Sequence, residues 1–322
     1  DAVHTVPEGI AHFLEHKLFE SEQGDAFARY AETGASANAY TSFDMTCYLF
    51  SCTKNVEASL EILLDFVQSP YFTEQTVQKE QGIIGQEISM YDDDPQWRVF
   101  FNLLGTLYHT HPVKIDIAGT AQSISHITPD LLYQCHRTFY NLHNMTLCIV
   151  GDFDKNTVLE LVNQYCKPAE SFAVDRVFEA EPRGIVQKKV TQKLSVATPL
   201  FQFGFKEQAA QTRKTAREVA AMEVLLELLA SDASVLFQEL QRENLINESS
   251  FQYEFFEGPG YAAVIFAGES KEPDRVAELI CKEIKRMRQE GILKEDFEIA
   301  QKAVYGRNIA DLNSAESIAN SM

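Results

Sequence analysis

The stretch GIAHFLEHKLFE, residues 9–20, holds two of the chain's eight histidines, four positions apart, with a glutamate directly before the second. His12, Glu15 and His16 form the pattern H-x-x-E-H. The apolar spacing around them predicts a helix over residues 6–22. Helical side chains four apart lie one above the other. His12 and His16 would therefore direct two imidazoles at one point, with Glu15 bordering the same face.

Divalent-metal binding is the chemistry that suits this arrangement. Two histidines on one helix face are typical zinc ligands, and a nearby carboxylate can take the proton of a metal-bound water. The inverted order H-x-x-E-H occurs among zinc proteases. The alternative is a chance pattern on a solvated helix face. Because Phe13 and Leu14 lie between the histidines, the helix is expected to be half-buried, which favours the metal interpretation.

A catalytic zinc has three protein ligands and one open position, so a third donor is needed from another element. A helix predicted over 73–90 offers Glu80 and Glu87, which are seven positions apart and therefore two helical turns apart on one face. Either glutamate alone could be an ordinary solvated residue. The pair flanks the apolar residues 83–84, so it does not belong to a fully exposed face, and both acids are candidates.

Composition narrows the class of protein. The chain has 322 residues and a formal charge of −19, which argues against nucleic acid and against an anionic membrane surface as partners. No apolar run approaches the roughly 20 residues that span a bilayer. The six cysteines form no C-x-x-C pair, which favours free thiols and a cytoplasmic location over a disulfide framework.

Periodicity and turn residues predict the remaining elements. Helices are predicted over 24–33, 54–69, 73–90, 95–108, 211–230 and 273–290, with another starting after Pro129; strands are predicted over 37–52, 189–206 and 250–268.

Two segments share one plan. Residues 145–165, MTLCIVGDFDKNTVLELVNQY, and residues 262–284, AAVIFAGESKEPDRVAELICKEI, each predict a buried strand, a turn and a helix. This repetition suggests a duplicated domain. The predicted fold class is α+β, with two similar domains that each combine strands and helices.

The expected domains follow from this plan. We expect a zinc-binding catalytic domain over 1–170, a linker over 171–188 and a second α+β domain over 189–322. The second domain is expected to be incomplete at its C-terminus, and the chain to be truncated at both ends.

The motifs resemble those of the insulinase/pitrilysin family of zinc peptidases. H-x-x-E-H followed by E-x6-E is similar to that family's metal-binding pattern, and GASANAYTSFDMTCY, residues 34–48, is similar to its N-A-x-T-S strand. YHTHPVKIDIAGT, residues 108–120, and FYNLHNMTLCIVGDFD, residues 139–154, resemble further segments of its first domain. The chain looks most like the paired peptidase-like proteins of Gram-positive bacteria. The resemblance implies an insulinase-like fold, in which each domain is a mainly antiparallel sheet packed with helices. It also implies zinc-dependent endopeptidase activity.

The resemblance assigns roles to individual residues. It implies that His12, His16 and Glu87 hold zinc and that Glu15 is the general base. Glu80 would act from outside the ligand set by holding a histidine or the bound water.

The same resemblance implies a substrate strand. Asn38, Ala39 and Tyr40 match the strand edge along which an extended peptide pairs. The alternative, that residues 38–50 are a core strand, is compatible with this role, because one face can be buried while the edge stays free.

One departure concerns residues that stabilise the reaction intermediate. In the family that the chain resembles, members with a complete site share an Arg and a Tyr. Both come from the second domain of the other half of the enzyme. This chain has Gln241 and Asn247 at the similar places. We therefore expect a peptidase-like paralogue as heterodimer partner, a second copy being the alternative. The expected substrates are peptides or unfolded protein segments. The rival functions are a non-catalytic scaffold and a weakly active peptide-binding subunit.

Overall fold

The structure, a computed structural model, describes residues 5–22, 24–171, 174, 176–208, 210 and 212–321. The chain divides into two compact units. The first holds the described residues up to Met90 together with Ile115–Val177, and the second holds Tyr91–Lys114 and Phe178–Ser321. Residues 91–114 thus lie in the second unit, although the predicted first domain ran unbroken to residue 170. The predicted linker includes Phe172, Ala173 and Asp175, which lie outside the described residues.

The elements follow one another along the chain. They are α1 (Ile10–Leu18), β1 (Glu20–Ser21), β2 (Gly24–Asp25), α2 (Ala26–Thr33), β3 (Ser36–Thr41), β4 (Thr46–Ser51), α3 (Val56–Phe66), α4 (Glu74–Asp93), α5 (Pro95–Leu107), α6 (Ala121–Ile124), α7 (Pro129–Phe139), α8 (Lys155–Tyr165), β5 (Leu200–Glu207), α9 (Ala216–Ala230), α10 (Val235–Arg242), β6 (Gln252–Gly258), β7 (Tyr261–Glu269), α11 (Pro273–Glu290), α12 (Lys294–Asp311) and α13 (Ala315–Ser321).

The predicted single strand over 37–52 is instead an antiparallel hairpin, so this prediction was wrong. β3 pairs with β4 in a register that ends at Thr41 opposite Thr46. The N–H of Ser42 donates to the carbonyl of Met45 at 2.8 Å and closes the turn. Apolar and aromatic residues on both sides of this short turn produce one continuous strand-like pattern, which conceals the turn.

The strand predicted at 145–150 is also absent, since the structure assigns no strand over these described residues. Leu147 is 41% exposed, and Cys148 is exposed as well, whereas the prediction was a buried strand. A strand is defined by its hydrogen-bonded neighbour, and β3–β4 form a sheet of two strands within the described part of the chain. The helix predicted after it is present as α8.

Apolar side chains of the helices form the core of the first unit. Phe13, Leu14 and Leu18 of α1 are between 0% and 2% exposed, which agrees with the apolar spacing that predicted this helix. Leu60 and Leu64 of α3 pack with Leu161 of α8 in a separate cluster. The predicted helix over 6–22 is shorter in the structure, because α1 covers only Ile10–Leu18.

A three-stranded antiparallel sheet of order β5-β7-β6 forms the centre of the second unit. The strand predicted over 189–206 is shorter in the structure, because β5 begins only at Leu200. The strand predicted over 250–268 is two strands joined by a tight turn at Gly258–Tyr261. One face of the sheet packs on α9, α10 and α11 through a core that includes Phe201, Phe266 and Leu240.

The second unit also contains a buried ion pair, which was not predicted. Lys206 of β5 and Glu181 have side chains 5% and 10% exposed, and the ammonium Nζ lies 2.5 Å from Glu181 Oε1. Lys206 also donates to the carbonyls of Leu107, Pro182 and Gly184 at 2.8–3.0 Å. Glu181 accepts three main-chain N–H groups, those of residues 109–111, at 2.8–2.9 Å. We call this set the Glu181–Lys206 cluster.

The observed architecture confirms the predicted fold class: α+β, with helices packed on small antiparallel sheets in each unit. In the described part of the chain, none of the helices combines the length and the apolar content that crossing a bilayer requires.

Candidate metal centre

Two glycines allow the chain to approach the start of α1 closely. Gly9, at φ 86°, precedes the helix, and a Cβ at this position would lie 2.4 Å from the carbonyl oxygen of Ala118. Gly119 has φ 72°, and a Cβ at this position would lie 2.5 Å from the carbonyl oxygen of Glu8. The hydroxyl of Ser123 donates to that same carbonyl at 2.9 Å. The segment around Gly119 is thereby held against the beginning of the helix that carries the H-x-x-E-H residues.

Both imidazoles of α1 face one carboxylate of α4. His12 Nε2 lies 3.7 Å from Glu87 Oε1, and His16 Nε2 lies 3.6 Å from Glu87 Oε2. The two rings are neighbours, with centroids 4.5 Å apart. Two ligand atoms bound to zinc at about 2.0–2.2 Å in a tetrahedral arrangement are separated by roughly 3.3–3.6 Å. The observed separations are therefore close to those of a tetrahedral zinc site.

Glu80 occupies the other side of His16. Its Oε1 lies 3.1 Å from His16 Nδ1. This hydrogen bond raises the pKa of His16, against the opposing effect of burial. Burial would raise the pKa of Glu80, but the hydrogen bond and charge of His16 lower it overall. With Nδ1 donating to Glu80, the lone pair of Nε2 is directed away, as an outer-shell carboxylate typically arranges for a metal-binding histidine.

His12 is in a more apolar environment. It is 8% exposed, and burial, followed by the charge of His16, lowers its pKa. Its Nδ1 is buried and has no hydrogen-bond partner among the described residues. A neutral imidazole is the form that binds a metal, so the environment of His12 favours that form.

Glu15 lies beside the two histidines and is 8% exposed. His12, Glu15 and His16 each offer a ligand atom, all within 4.8 Å of one another. Burial raises the pKa of Glu15, while the charge of His16 and a hydrogen bond from Thr41 lower it by less. Proximity alone would allow either Glu15 or Glu87 as the third ligand. Because Glu87 faces both Nε2 atoms, it fits the ligand position better and leaves Glu15 free for proton transfer.

The donor set as a whole fits a zinc ion. It combines two imidazole nitrogens and one carboxylate, a combination that catalytic zinc sites use. A further carboxylate, Glu80, holds one of the imidazoles. Among the residues that the structure describes, the trio His12–Glu15–His16 is the one group of three or more such donors close enough to share an ion.

The predicted substrate residues Asn38, Ala39 and Tyr40 lie on β3. Along an antiparallel ladder, residue pairs that exchange main-chain hydrogen bonds alternate with pairs that do not. Ser42 bonds to Met45. Counting back from Ser42, the main-chain groups of the even-numbered residues of β3 are directed to β4. The polar main-chain groups of Ala39 then point to the other edge, where β3 has no strand partner in the described part of the chain. The N–H of Ala39 instead donates to Asn38 Oδ1 at 2.9 Å.

Gln241 and Asn247, the residues found in place of an Arg and a Tyr, make local contacts within the second unit. Gln241 Nε2 donates to Glu248 Oε1 at 2.6 Å. Asn247 Nδ2 donates to Glu269 Oε2 at 2.9 Å. Their amides are therefore engaged in holding the segment between α10 and β6.

Sequence reasoning missed Thr41, whose hydroxyl donates to Glu15 Oε2 at 3.1 Å. Two-residue alternation could have identified it, because Ala37, Ala39 and Thr41 share one face of β3. Lys17 was also missed. It is 0% exposed and forms an ion pair with Glu20, and no sequence pattern identified a buried lysine there.

Family models match both halves of the chain. Residues 5–121 match the model described as Insulinase (Peptidase family M16). Residues 126–304 match the model described as Peptidase M16 inactive domain. The H-x-x-E-H motif, Glu80 and Glu87 fall within the first match.

Individual relatives extend over nearly the whole chain. The chain is 45% identical over 320 residues to the Bacillus subtilis "Uncharacterized zinc protease YmfH", covering 98% of this chain and 74% of that protein. It is 38% identical to the crystal structure of an M16-like peptidase from Alicyclobacillus acidocaldarius, with a TM-score of 0.95 and coverage of 99% and 76%. A protease from Helicobacter pylori, at 22% identity and TM-score 0.85, covers 98% of this chain and 79% of that one, and has the same fold.

Proposed function

Because the chain belongs to the insulinase family, peptidase family M16, we propose that it is a zinc-dependent endopeptidase. His12, His16 and Glu87 would hold the ion, and Glu80 would orient His16. Zinc bound there would supply a water of lowered pKa and would polarise the carbonyl of the scissile bond. The observation that most directly supports this proposal is that both histidine Nε2 atoms face the Glu87 carboxylate at 3.6–3.7 Å, with Glu15 beside them.

Glu15 is the general base in this proposal. Its carboxylate takes the proton of the attacking water and passes it to the leaving amine. Burial raises the pKa of Glu15, which brings the group closer to the pH at which the enzyme would work, and a general base is most effective there. The low exposure of Glu15 also keeps bulk water from competing for the proton.

The proposed substrate is an extended peptide or an unfolded protein segment. The edge of β3 away from β4 presents main-chain groups that an added strand can use. On binding, the Ala39 N–H would exchange its bond to Asn38 for a bond to a substrate carbonyl. Such pairing reads the backbone and not a particular side chain, so we propose a broad choice of sequences.

A direct test combines metal analysis with a peptidase assay. The purified chain should contain about one zinc per molecule and should cleave a quenched fluorescent peptide in a reaction that chelator stops. Glu15→Gln should keep the zinc and lose about 100- to 10,000-fold in kcat, the usual contribution of a general base. Full hydrolysis by Glu15→Gln would remove Glu15 from this role. A zinc-free but active protein would overturn the proposal as a whole.

A non-catalytic scaffold is the rival that the sequence left open. Such a role needs neither a general base nor an orienting acid. The chain places His12, Glu15, His16 and Glu87 together and adds Glu80 at 3.1 Å from His16, which favours the catalytic alternative.

We further propose that a second, peptidase-like chain completes the site. Gln241 and Asn247 stand where an Arg and a Tyr are expected, and their amides are engaged locally. Loss of one oxyanion donor in a protease costs on the order of 100–1,000-fold in turnover, so the isolated chain should be slow. A paralogue is favoured over a second copy, because a copy would bring the same two residues.

Adding a second chain tests the proposal that a partner completes the site. The mass of the chain in solution and its peptidase rate are measured alone, with excess of itself and with a peptidase-like paralogue. We expect a heterodimer and a rate increase only in the last case. Fast zinc-dependent cleavage by the monomer would rule out the need for a partner.

A further inference from the structure

Thr41 links two parts of the candidate site that the sequence treated separately. Its hydroxyl donates to Glu15 Oε2 at 3.1 Å, across 26 residues of chain. It is also the last residue of β3, the strand that holds the proposed substrate edge. One residue thus touches the proposed base with its side chain and belongs to the proposed substrate strand through its main chain.

The hairpin holds Thr41 rigidly. Its ladder position opposite Thr46 is the last one before the turn, and the Ser42–Met45 hydrogen bond closes the turn directly after it. In the alternation of β3, the main-chain groups of Thr41 point to the same edge as those of Ala39. Side chains on such a short, closed hairpin are positioned more precisely than those on an open loop.

We infer that Thr41 is a positioning residue for the base of the reaction proposed above. A carboxylate has two oxygens, and the hydroxyl of Thr41 occupies Oε2 of Glu15. Oε1 is thereby left to accept the proton of the attacking water. A substrate strand would pair along the edge that includes Thr41, so this one residue would hold Glu15 beside the place where the peptide lies.

A purely structural role would have different consequences. If the hydroxyl only satisfied a buried carboxylate, its loss would lower stability and leave the turnover of the folded, zinc-loaded protein unchanged. A positioning role instead lowers kcat while KM and zinc affinity stay the same, because Thr41 is not a ligand and its main chain is retained in any variant.

The test compares Thr41→Val, Thr41→Ser and the control Thr46→Val. Thr46 lies directly across the hairpin, and its side chain bonds to Tyr140. Its replacement therefore makes the same change of shape and also removes one threonine hydrogen bond, while the bond between Thr41 and Glu15 stays in place. Zinc-loaded protein is used, with the partner chain where turnover requires it. For Thr41→Val we expect kcat to fall roughly 10- to 100-fold, as for loss of a hydrogen bond to a charged group. KM and zinc affinity should stay within about twofold, which is close to the scatter expected of such comparisons.

Thr41→Ser should recover most of the lost turnover, because it keeps the hydroxyl, and Thr46→Val should resemble the wild type. An unchanged kcat in Thr41→Val overturns the inference, as does a loss that Thr41→Ser fails to recover or one that is matched by lost zinc affinity.

A second measurement separates this inference from the proposed function. In metal-free protein, the effects of Thr41→Val and Glu15→Ala on the urea midpoint should be non-additive, because the two residues share a hydrogen bond. Additive effects would show that the contact does not exist in solution, whatever the activity. A wild-type protein that binds zinc but never cleaves peptide would overturn the proposed function and the positioning role together.

Discussion

The candidate metal centre of the first unit and the Glu181–Lys206 cluster of the second differ in how completely their buried charges are satisfied. In the Glu181–Lys206 cluster, the ammonium has four oxygen neighbours and the carboxylate accepts three main-chain N–H groups besides the ion pair. In the candidate metal centre, three carboxylates meet two imidazoles, and one imidazole nitrogen is buried without a partner among the described residues.

This difference distinguishes a structural cluster from a functional one. Charges that are fully paired and hydrogen-bonded can be buried without further help. An excess of lone pairs and negative charge in a buried place is stabilised by a cation, and zinc ligands must present free lone pairs. Replacements in the two clusters should therefore act on different properties: metal content and turnover in the first unit, and stability in the second.

The largest effect is expected for His16→Ala. It removes a proposed ligand, so zinc affinity should fall by more than the roughly 10- to 100-fold typical of losing an outer partner, and zinc-dependent turnover should be lost with it. Metal content after dialysis and a competition titration with a zinc chelator measure this. His126→Ala is the matched control, because His126 is exposed and is not a member of the trio. Normal zinc binding by His16→Ala would remove the contrast between the clusters.

Glu181→Ala should be the most damaging change to stability. It leaves the Lys206 ammonium buried without its carboxylate, and breaking a buried pair this way costs about 3–5 kcal/mol in the free energy of unfolding. Urea unfolding measures the loss, and Glu179→Ala, an exposed neighbour, is the control. Zinc content of the folded fraction should be unchanged. The double variant Glu181→Leu/Lys206→Met should be more stable than Glu181→Ala, since no charge is left unpaired; an equally unstable double variant would contradict this explanation.

A smaller effect is expected for Glu80→Gln. The amide can still hold His16 Nδ1, but without the charge that favours the correct ring orientation and basicity. Zinc affinity or turnover should fall about 10- to 100-fold and not completely. Glu74→Gln, at the exposed start of α4, is the control. If both affinity and turnover were unchanged, Glu80 would be an ordinary surface acid.

The smallest expected effect is on the stability of the fold at acid pH, and it arises from Glu181 in the second unit. Burial would raise the pKa of Glu181, but the hydrogen bonds from Lys206 and from the N–H groups of residues 109–111 lower it well below its usual range. The folded state therefore binds this proton less readily than the unfolded state, and the stabilisation is fully present above the unfolded pKa of about 4.3. It is lost as the pH falls further through the folded pKa.

Urea midpoints of wild type and Glu181→Gln, measured between pH 7 and pH 3, check this expectation. Their difference should be constant above about pH 5.5 and should shrink below about pH 4. A difference that grew on acidification would mean that the folded pKa of Glu181 is raised and not lowered.

Helices were largely predictable, because their signals are local. The apolar spacing within α1 identified its buried stripe, and α4, α5, α9 and α11 lie close to their predicted ranges. Strands were less predictable. The turn inside residues 37–52 was hidden by apolar residues on both sides, and residues 145–150 have strand-like composition without a strand neighbour in the described residues. Strand formation depends on a partner elsewhere in the chain, which composition does not report.

The candidate site shows the same division. The sequence by itself determined that His12, Glu15 and His16 share one helix face and that Glu80 and Glu87 share another, because helical geometry relates residues three, four and seven apart. Only the tertiary structure decided that Glu87 faces both imidazoles, that Glu80 holds His16 alone, that Thr41 contacts Glu15 and that Lys206 meets Glu181. These contacts join residues 25 to 75 positions apart. They depend on how separate elements pack, and no local periodicity encodes that packing.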